Sequence, residues 1–248
     1  MRKLIYIFVL LLIVACDSEN ANDCFQTSGS IIQQEFEVSE FERILVNRDI
    51  EVILAEGDFQ VLVETGENLI NDVSVKVVDG ELQLADNNTC NYVRDYGVTK
   101  IYVTAPNIKT IRSSTQYDIS SEGTLNFPIL QLLSEDYNAP DSFTTGDFKL
   151  DVNASEVKIV ANNMASFYIT GQTENLFVGF YAGAGRFEGE ALIAQHVDIY
   201  HRGSNDMIVN PQQSLSGKIL GPGDVISLNE PSEVTLETLY TGNLIFQN

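Results

Sequence analysis

The sequence predicts an all-β protein wound as a solenoid, on three observations. Apolar residues alternate with polar ones over short runs, as in Ile50-Val52-Leu54, Val61-Val63, Val73-Val75-Val77, Leu82-Leu84 and Ile101-Val103. A period of two over such lengths belongs to strands with one buried face. A helical period of useful length is missing, and Glu67-Asn68-Leu69-Ile70-Asn71 has room for one turn at most. The second half repeats its apolar pattern about every 20 residues, the mark of a coil that stacks on copies of itself.

The chain opens with Arg2 and Lys3, an apolar run from Leu4 to Val14, and then Ile13-Val14-Ala15-Cys16. A charged start, a short apolar centre and small residues before a Cys describe a secretory signal peptide ending in a lipobox. Residues 1–15 are therefore expected to be removed and Cys16 to carry lipid. The apolar run is shorter than the roughly 20 residues that a spanning helix needs. Residues 16–30 follow as an acidic, flexible tether that begins Asp17-Ser18-Glu19-Asn20-Ala21-Asn22-Asp23, too polar and aperiodic to pack.

From residue 31 to 106 the alternating runs read as N-terminal strands. Gly57-Asp58, Asp79-Gly80 and Glu122-Gly123 stand where turns are expected. Residues 107–248 read as repeated rungs. Ile159, Val178, Ile199, Ile219 and Leu239 are spaced by 19, 21, 20 and 20 residues. Val157, Leu176 and Val197 precede the first three by two positions, while Gly217 and Glu237 break that pairing. Small, turn-forming clusters follow: Asn162-Asn163, Gly183-Ala184-Gly185, Gly203-Ser204-Asn205, Gly221-Pro222-Gly223 and Gly242-Asn243. A second apolar set comes next, namely Phe167 and Ile169, Phe187, Met207 and Val209, Ile226 and Leu228, and Leu244 and Phe246. Ile111 and Leu133 are expected to mark two earlier rungs, with the loop around Tyr137-Asn138-Ala139-Pro140 stretching the period there. One rung cannot bury its apolar stripe alone. Stacking at about 4.8 Å buries the stripe and pairs the backbone with the rungs above and below. A β-sandwich with evenly spaced strands is the alternative.

The chain has 14 basic and 35 acidic side chains. Cleavage would remove Arg2 and Lys3 and leave 12 against 35, a balance of −23. Nucleic acid and anionic lipid are poor partners for such a surface, because polyanion binding rests on clustered Lys and Arg. Of three cysteines the lipobox takes one, so Cys24 and Cys90 remain as an even pair in an oxidising compartment, expected to form a disulfide. Closing a loop of that length would constrain the unfolded chain by about 4 kcal/mol.

No P-loop, GxGxxG, HExxH, GxSxG or EF-hand pattern is present. His196 and His201 are the only histidines, and both fall in one strand region, one of them expected to be exposed. Neither a catalytic nor a metal-ligating set is assigned, and no cofactor is expected. Glu135-Asp136, Asp141 and Asp147 are acidic candidates for glycosidase or calcium chemistry, but such chemistry needs carboxylates at a fixed separation around a cleft. Gly221-Pro222-Gly223-Asp224 reads as a turn. In the repeat register Tyr181, Tyr200, His201, Arg202 and Tyr240 fall near one another on adjacent rungs. Stacked aromatics beside a guanidinium form a candidate binding face for sugar rings or protein side chains.

Phe41 to Ile44, Gly66-Glu67-Asn68-Leu69-Ile70, Val78-Asp79-Gly80-Glu81-Leu82, Cys90-Asn91-Tyr92-Val93-Arg94, Val103-Thr104-Ala105-Pro106 and Ala182-Gly183-Ala184-Gly185 together resemble the head GIN domain family. Its members are described as "putative auto-transporter adhesins" and are common as lipoproteins of Bacteroidetes-type bacteria. The resemblance spans roughly residues 36 to 246 and implies a right-handed parallel β-helix-like fold over residues 31–248, with a non-enzymatic surface or adhesion role. The family's small turn is clear once here, while Arg202-Gly203-Ser204-Asn205 and Thr241-Gly242-Asn243 diverge from it. The expectation is a lipid-anchored outer-membrane protein of the cell envelope that meets the membrane through Cys16 and presents its surface to an envelope protein or glycan. The alternative is a carbohydrate-active β-helix that binds or cleaves polysaccharide.

Overall fold

The structure, a computed structural model, describes residues 24–88, 90–137, 140 and 142–247. The expected signal peptide, the lipid site Cys16, the first part of the tether, Asn138, Ala139 and Asp141 lie outside the described residues.

The described chain is all-β, as the alternation predicts. The strands are β1 (Ile31–Phe36), β2 (Arg43–Val46), β3 (Glu51–Glu56), β4 (Gln60–Gly66), β5 (Val73–Val78), β6 (Glu81–Asp86), β7 (Lys100–Ala105), β8 (Thr110–Ser113), β9 (Ile119–Leu125) and β10 (Ile129–Ser134). Two long strands follow, β11 (Phe148–Ala161) and β12 (Ser166–Phe180). The rest are β13 (Arg186–Glu188), β14 (Leu192–His201), β15 (Met207–Val209), β16 (Pro211–Ile219), β17 (Val225–Ser227), β18 (Glu233–Thr238) and β19 (Leu244–Phe246). The short helical stretch expected near residue 70 is a single 3-10 turn, Ile70–Asp72.

Two runs of hydrogen-bonded strands result. In one, the order is β5, β6, β2, β8, β10, the second halves of β11 and β12, β14, β16 and β18. The other is β1, β4, β7, β3, β9, the first halves of β11 and β12, β13, β15, β17 and β19. All pairings from β6 and β7 onward are parallel; β1–β4, β4–β7 and β5–β6 are antiparallel. The antiparallel β5–β6 hairpin turns at Asp79 (φ 50) and Gly80 (φ 73), two residues in the left-handed region that a tight two-residue hairpin requires. The strand pair β2/β3 is wedged between later chain, since β2 pairs with both β6 and β8 and β3 with both β7 and β9.

Parallel register stacks like on like. Ile44, Ile111, Leu132, Ile159, Val178 and Ile199 follow one another across one run of strands. Across the other run lie Ile101, Val52, Ile119, Phe148, Phe167, Phe187, Met207 and Val225. All are buried, each contributing roughly 1.5 to 3 kcal/mol if fully removed from water. The Phe148 and Phe167 rings stack at 4.9 Å.

The structure corrects five sequence expectations. Ile199 pairs with Gly217 and not with Ile219, which pairs with His201 and then Thr238. The cause is a shorter step: a bulge between Ala194 and His196 shifts the β14–β16 ladder, and Gly217 (φ +116) lies so close to Ile199 that a Cβ would stand 2.0 Å from its carbonyl oxygen. Leu239 falls outside β18, 57% exposed. Leu132, not Leu133, continues the Ile111 column. In β17 Val225 and Ser227 point inward, while Ile226 and Leu228 are only half-buried. Glu122-Gly123 is not a connection between strands but an outward bulge within β9, opposite a register shift in β11.

Candidate functional site

Cys24 and Cys90 are joined by a disulfide, as cysteine parity predicts. It ties the first described residue to the loop before β7, where the Tyr92 N–H donates to the Cys24 carbonyl at 2.9 Å and the Phe25 and Tyr92 rings lie 5.7 Å apart. Beside it, Asp86 accepts hydrogen bonds from Thr99 Oγ1 at 2.6 Å and from the Asn88 backbone and side-chain amides. Burial pushes its carboxyl above the usual carboxylate range in spite of those bonds. Among the described residues, no group of three or more His, Cys, Asp or Glu is placed to hold a metal ion.

Of the five residues forecast as a binding face, three lie together: Tyr181, Tyr200 and Arg202. β12 ends at Phe180 and β14 at His201. The next residues, Tyr181 and Arg202, donate their backbone N–H groups to Ala161 at 2.9 Å and Phe180 at 2.7 Å, which fixes where each leaves the stack. Tyr200, on the outer side of β14, stacks on Tyr181 with ring centres 4.7 Å apart. Gly179 makes room for this: it pairs with Tyr200, and a Cβ there would sit 2.8 Å from both the Phe177 and Tyr181 rings. Lys158 lies over the Phe177 ring at 5.7 Å, which extends the aromatic strip toward β11.

His201 does not belong to the face. Alternation along β14 turns Ile199 and His201 inward and Tyr200 outward, and His201 is fully buried, its ring 6.2 Å from Phe180. Among the described residues neither ring nitrogen has a hydrogen-bond partner of good geometry, and the Asn205 backbone offers only a weak one. Burial pulls its pKa below the usual histidine value, against the weaker pull of the Asn205 backbone and the Asp206 and Asp224 carboxylates. Tyr240 is 64% exposed but follows β18, two strands beyond β14, a separation of about 10 Å at ordinary strand spacing. It stands apart from the pair.

Next to the stacked tyrosines is a groove of ≈ 570 Å³. Its lining follows the strand order: Arg202 after β14, Tyr181 and Ala182 after β12, Val160 and Asn162 at the end of β11, and Glu135 and Tyr137 after β10. Sequence reasoning missed this last pair, because the loop after β10 is distant in sequence. Glu135 is buried and ion-paired with Arg112 at 2.8 Å. Asp136 accepts hydrogen bonds from Asn162 and Asn163 at 2.7 and 3.2 Å, and Asp147 accepts the Ser166 backbone N–H at 2.8 Å. The acidic candidates of this region are thus occupied in holding the loop. Elsewhere Ser214 Oγ lies 2.9 Å from His196 Nδ1, and His196 Nε2 lies 3.9 Å from Glu174. The carboxylate is beyond hydrogen-bond reach of the imidazole, and none of the three lines the groove, so they form an exposed cross-strand ladder and not an assembled triad.

The family model "Putative auto-transporter adhesin, head GIN domain" matches residues 40–231. The chain belongs to that head GIN domain family. In fold it is similar to the crystal structure of a putative adhesin from Bacteroides fragilis, at TM-score 0.79 and 17% identity over 89% of this chain and 99% of that one. It is also similar to a putative lipid binding protein from Parabacteroides distasonis, at TM-score 0.61 and 16% identity over 89% and 98% of the two chains. A putative adhesin from the same organism aligns at TM-score 0.61 and 12% identity over 89% and 99%. No curated protein matches the sequence.

Proposed function

We propose that this chain is an outer-membrane lipoprotein, tethered through Cys16 by residues 16–30, whose right-handed parallel β-helix presents one face for adhesion to a glycan or to an envelope protein, without catalysis. The observation that carries this reading is the Tyr181–Tyr200–Arg202 face. Its two rings are pre-stacked at 4.7 Å and its backbone is held by the neighbouring turns of chain, so binding to it loses little conformational entropy. Membership of an adhesin-named family supports the role. The Cys24–Cys90 disulfide supports a compartment outside the cytoplasm. A polysaccharide-cleaving reading is weaker, since it needs free carboxylates across a cleft and Glu135 and Asp136 are engaged by Arg112, Asn162 and Asn163.

The test uses the mature chain with Cys16→Ser, displayed on beads, against a glycan array and against envelope fractions and whole cells. Loss of glycan binding in Tyr200→Ala and Arg202→Ala supports glycan recognition. A silent array with retained binding to envelope protein supports the protein-partner form. Failure to bind any of these surfaces would sink the adhesive role. Detergent phase partition of the full-length chain, with Cys16→Ser as control, tests the anchor separately.

A further inference from the structure

The groove beside the stacked tyrosines contains an electrostatic anomaly. Carboxylates outnumber basic side chains 35 to 14. Six cations are ion-paired among the described residues: Lys100 to Glu51, Lys109 to Glu42, Arg112 to Glu135, Lys149 to Asp118, Arg186 to Glu188 and Lys218 to Glu237; Arg43 and Arg94 donate to backbone carbonyls, and Arg48 and Lys158 lie over aromatic rings. Arg202 is exposed and its side chain makes no ion pair or hydrogen bond among the described residues. In so acidic a chain, a guanidinium that finds no carboxylate of its own is positioned for one from outside. In the loop after β10 the Glu135 carboxylate is paired with Arg112 at 2.8 Å, and that of Asp136 is engaged by the Asn162 and Asn163 amides.

The rest of the groove narrows the class of ligand. Tyr181 is 44% exposed and backed by Tyr200, so it offers a fixed ring as a platform. Tyr137, 85% exposed, lines the same groove. Ala182 leaves space beside Tyr181, and ≈ 570 Å³ lies within the roughly 300–1,000 Å³ of small-ligand sites. Aromatic rings suit the apolar C–H face of a pyranose, and a guanidinium suits a carboxylate in a two-point contact. We propose that this groove binds a saccharide that carries a carboxylate, with a sugar ring against Tyr181 and the carboxylate on Arg202. This deepens the adhesive reading and rests on it for its biological purpose, although the binding event itself can be measured alone.

The experiment is calorimetric titration of the Cys16→Ser mature chain with a galacturonate trisaccharide, with sialyllactose, and with the neutral galactose trisaccharide. The first two separate a uronate from a sialate source of the same carboxylate. At least one acidic sugar should bind ten-fold or more tightly than the neutral one. Arg202→Ala should remove that preference, Arg202→Lys should restore only part of it, and Tyr181→Ala should weaken acidic and neutral sugars alike. Both positions are exposed, so thermal melts of the variants should match the parent and exclude misfolding. Equal binding of acidic and neutral sugars, an acidic preference that survives Arg202→Ala, or binding of a polyglutamate peptide in place of either acidic sugar would overturn the proposal. Adhesion that persists in the Arg202→Ala chain while the titrations fail would reject this site and leave the adhesive reading standing.

Discussion

Replacing His201 by Leu should stabilise this protein, and the gain should grow as the solution is acidified. The parent buries an imidazole completely beside Phe180, with no hydrogen bond of good geometry at either nitrogen and only a weak one to the Asn205 backbone. An unmet buried polar group costs about 1–3 kcal/mol, so an apolar side chain of similar size should recover about that much at pH 7.5. The pH term has a definite sign. Burial lowers the folded-state pKa below the ordinary 6.5. Above that value both states are neutral and the stabilising contribution is fully present. As pH falls below it, the unfolded chain takes up a proton that the folded chain refuses, and stability drops by at most about 1.4 kcal/mol per pH unit until the folded pKa is reached. Between the ordinary histidine value and the folded-state pKa the parent loses stability from this residue that His201→Leu does not lose. Urea unfolding followed by circular dichroism at pH 7.5, 6.5 and 5.0 measures both quantities. Taking the difference between the two proteins cancels contributions common to both. A variant less stable than the parent at pH 7.5, or a difference that does not widen on acidification, would refute the reasoning.

Ile199→Asp should unfold the C-terminal half. It places an unpaired charge at a position 2% exposed, between Val178 and the close backbone of Gly217, and a loss above about 4 kcal/mol is expected; a variant that melts with the parent would place Ile199 in solvent. Alkylation mapping of the mature chain should find Cys24 and Cys90 unlabelled until reduction, and the Cys24→Ser, Cys90→Ser pair should lose about 2–4 kcal/mol by denaturant unfolding. Labelling of both thiols before reduction would remove the bridge from the account.

Along β3 and β7 the alternation was read correctly. Val52, Leu54, Ile101 and Val103 alternate in the sequence and are all buried, because the two faces of a strand follow from backbone geometry alone. The same rule, applied to β14, would have turned His201 inward beside Ile199 and spared it a place in the binding face. The repeat held from Ile159 through Val178 to Ile199 and then slipped, since a bulge and one close-approach glycine change the step without changing the look of the pattern. The Tyr181–Tyr200 contact was foreseeable from the repeat. Its enabling residue, Gly179, was not, because an absent side chain has no signal until the rings that fill its space are seen.

The sequence by itself determined the all-β class, the alternation of buried and exposed positions along most strands, the pairing of Cys24 with Cys90 and the segment in which Tyr181 and Tyr200 meet. Only the tertiary structure decided that β2 and β3 sit between β6/β7 and β8/β9, that Ile219 follows His201, and that Glu135 and Tyr137 line one groove with Arg202. Which side of a strand is greasy is settled within a few residues of chain. Which strand lies beside it is settled by burial and backbone hydrogen bonding summed over distant segments, and no local pattern records that sum.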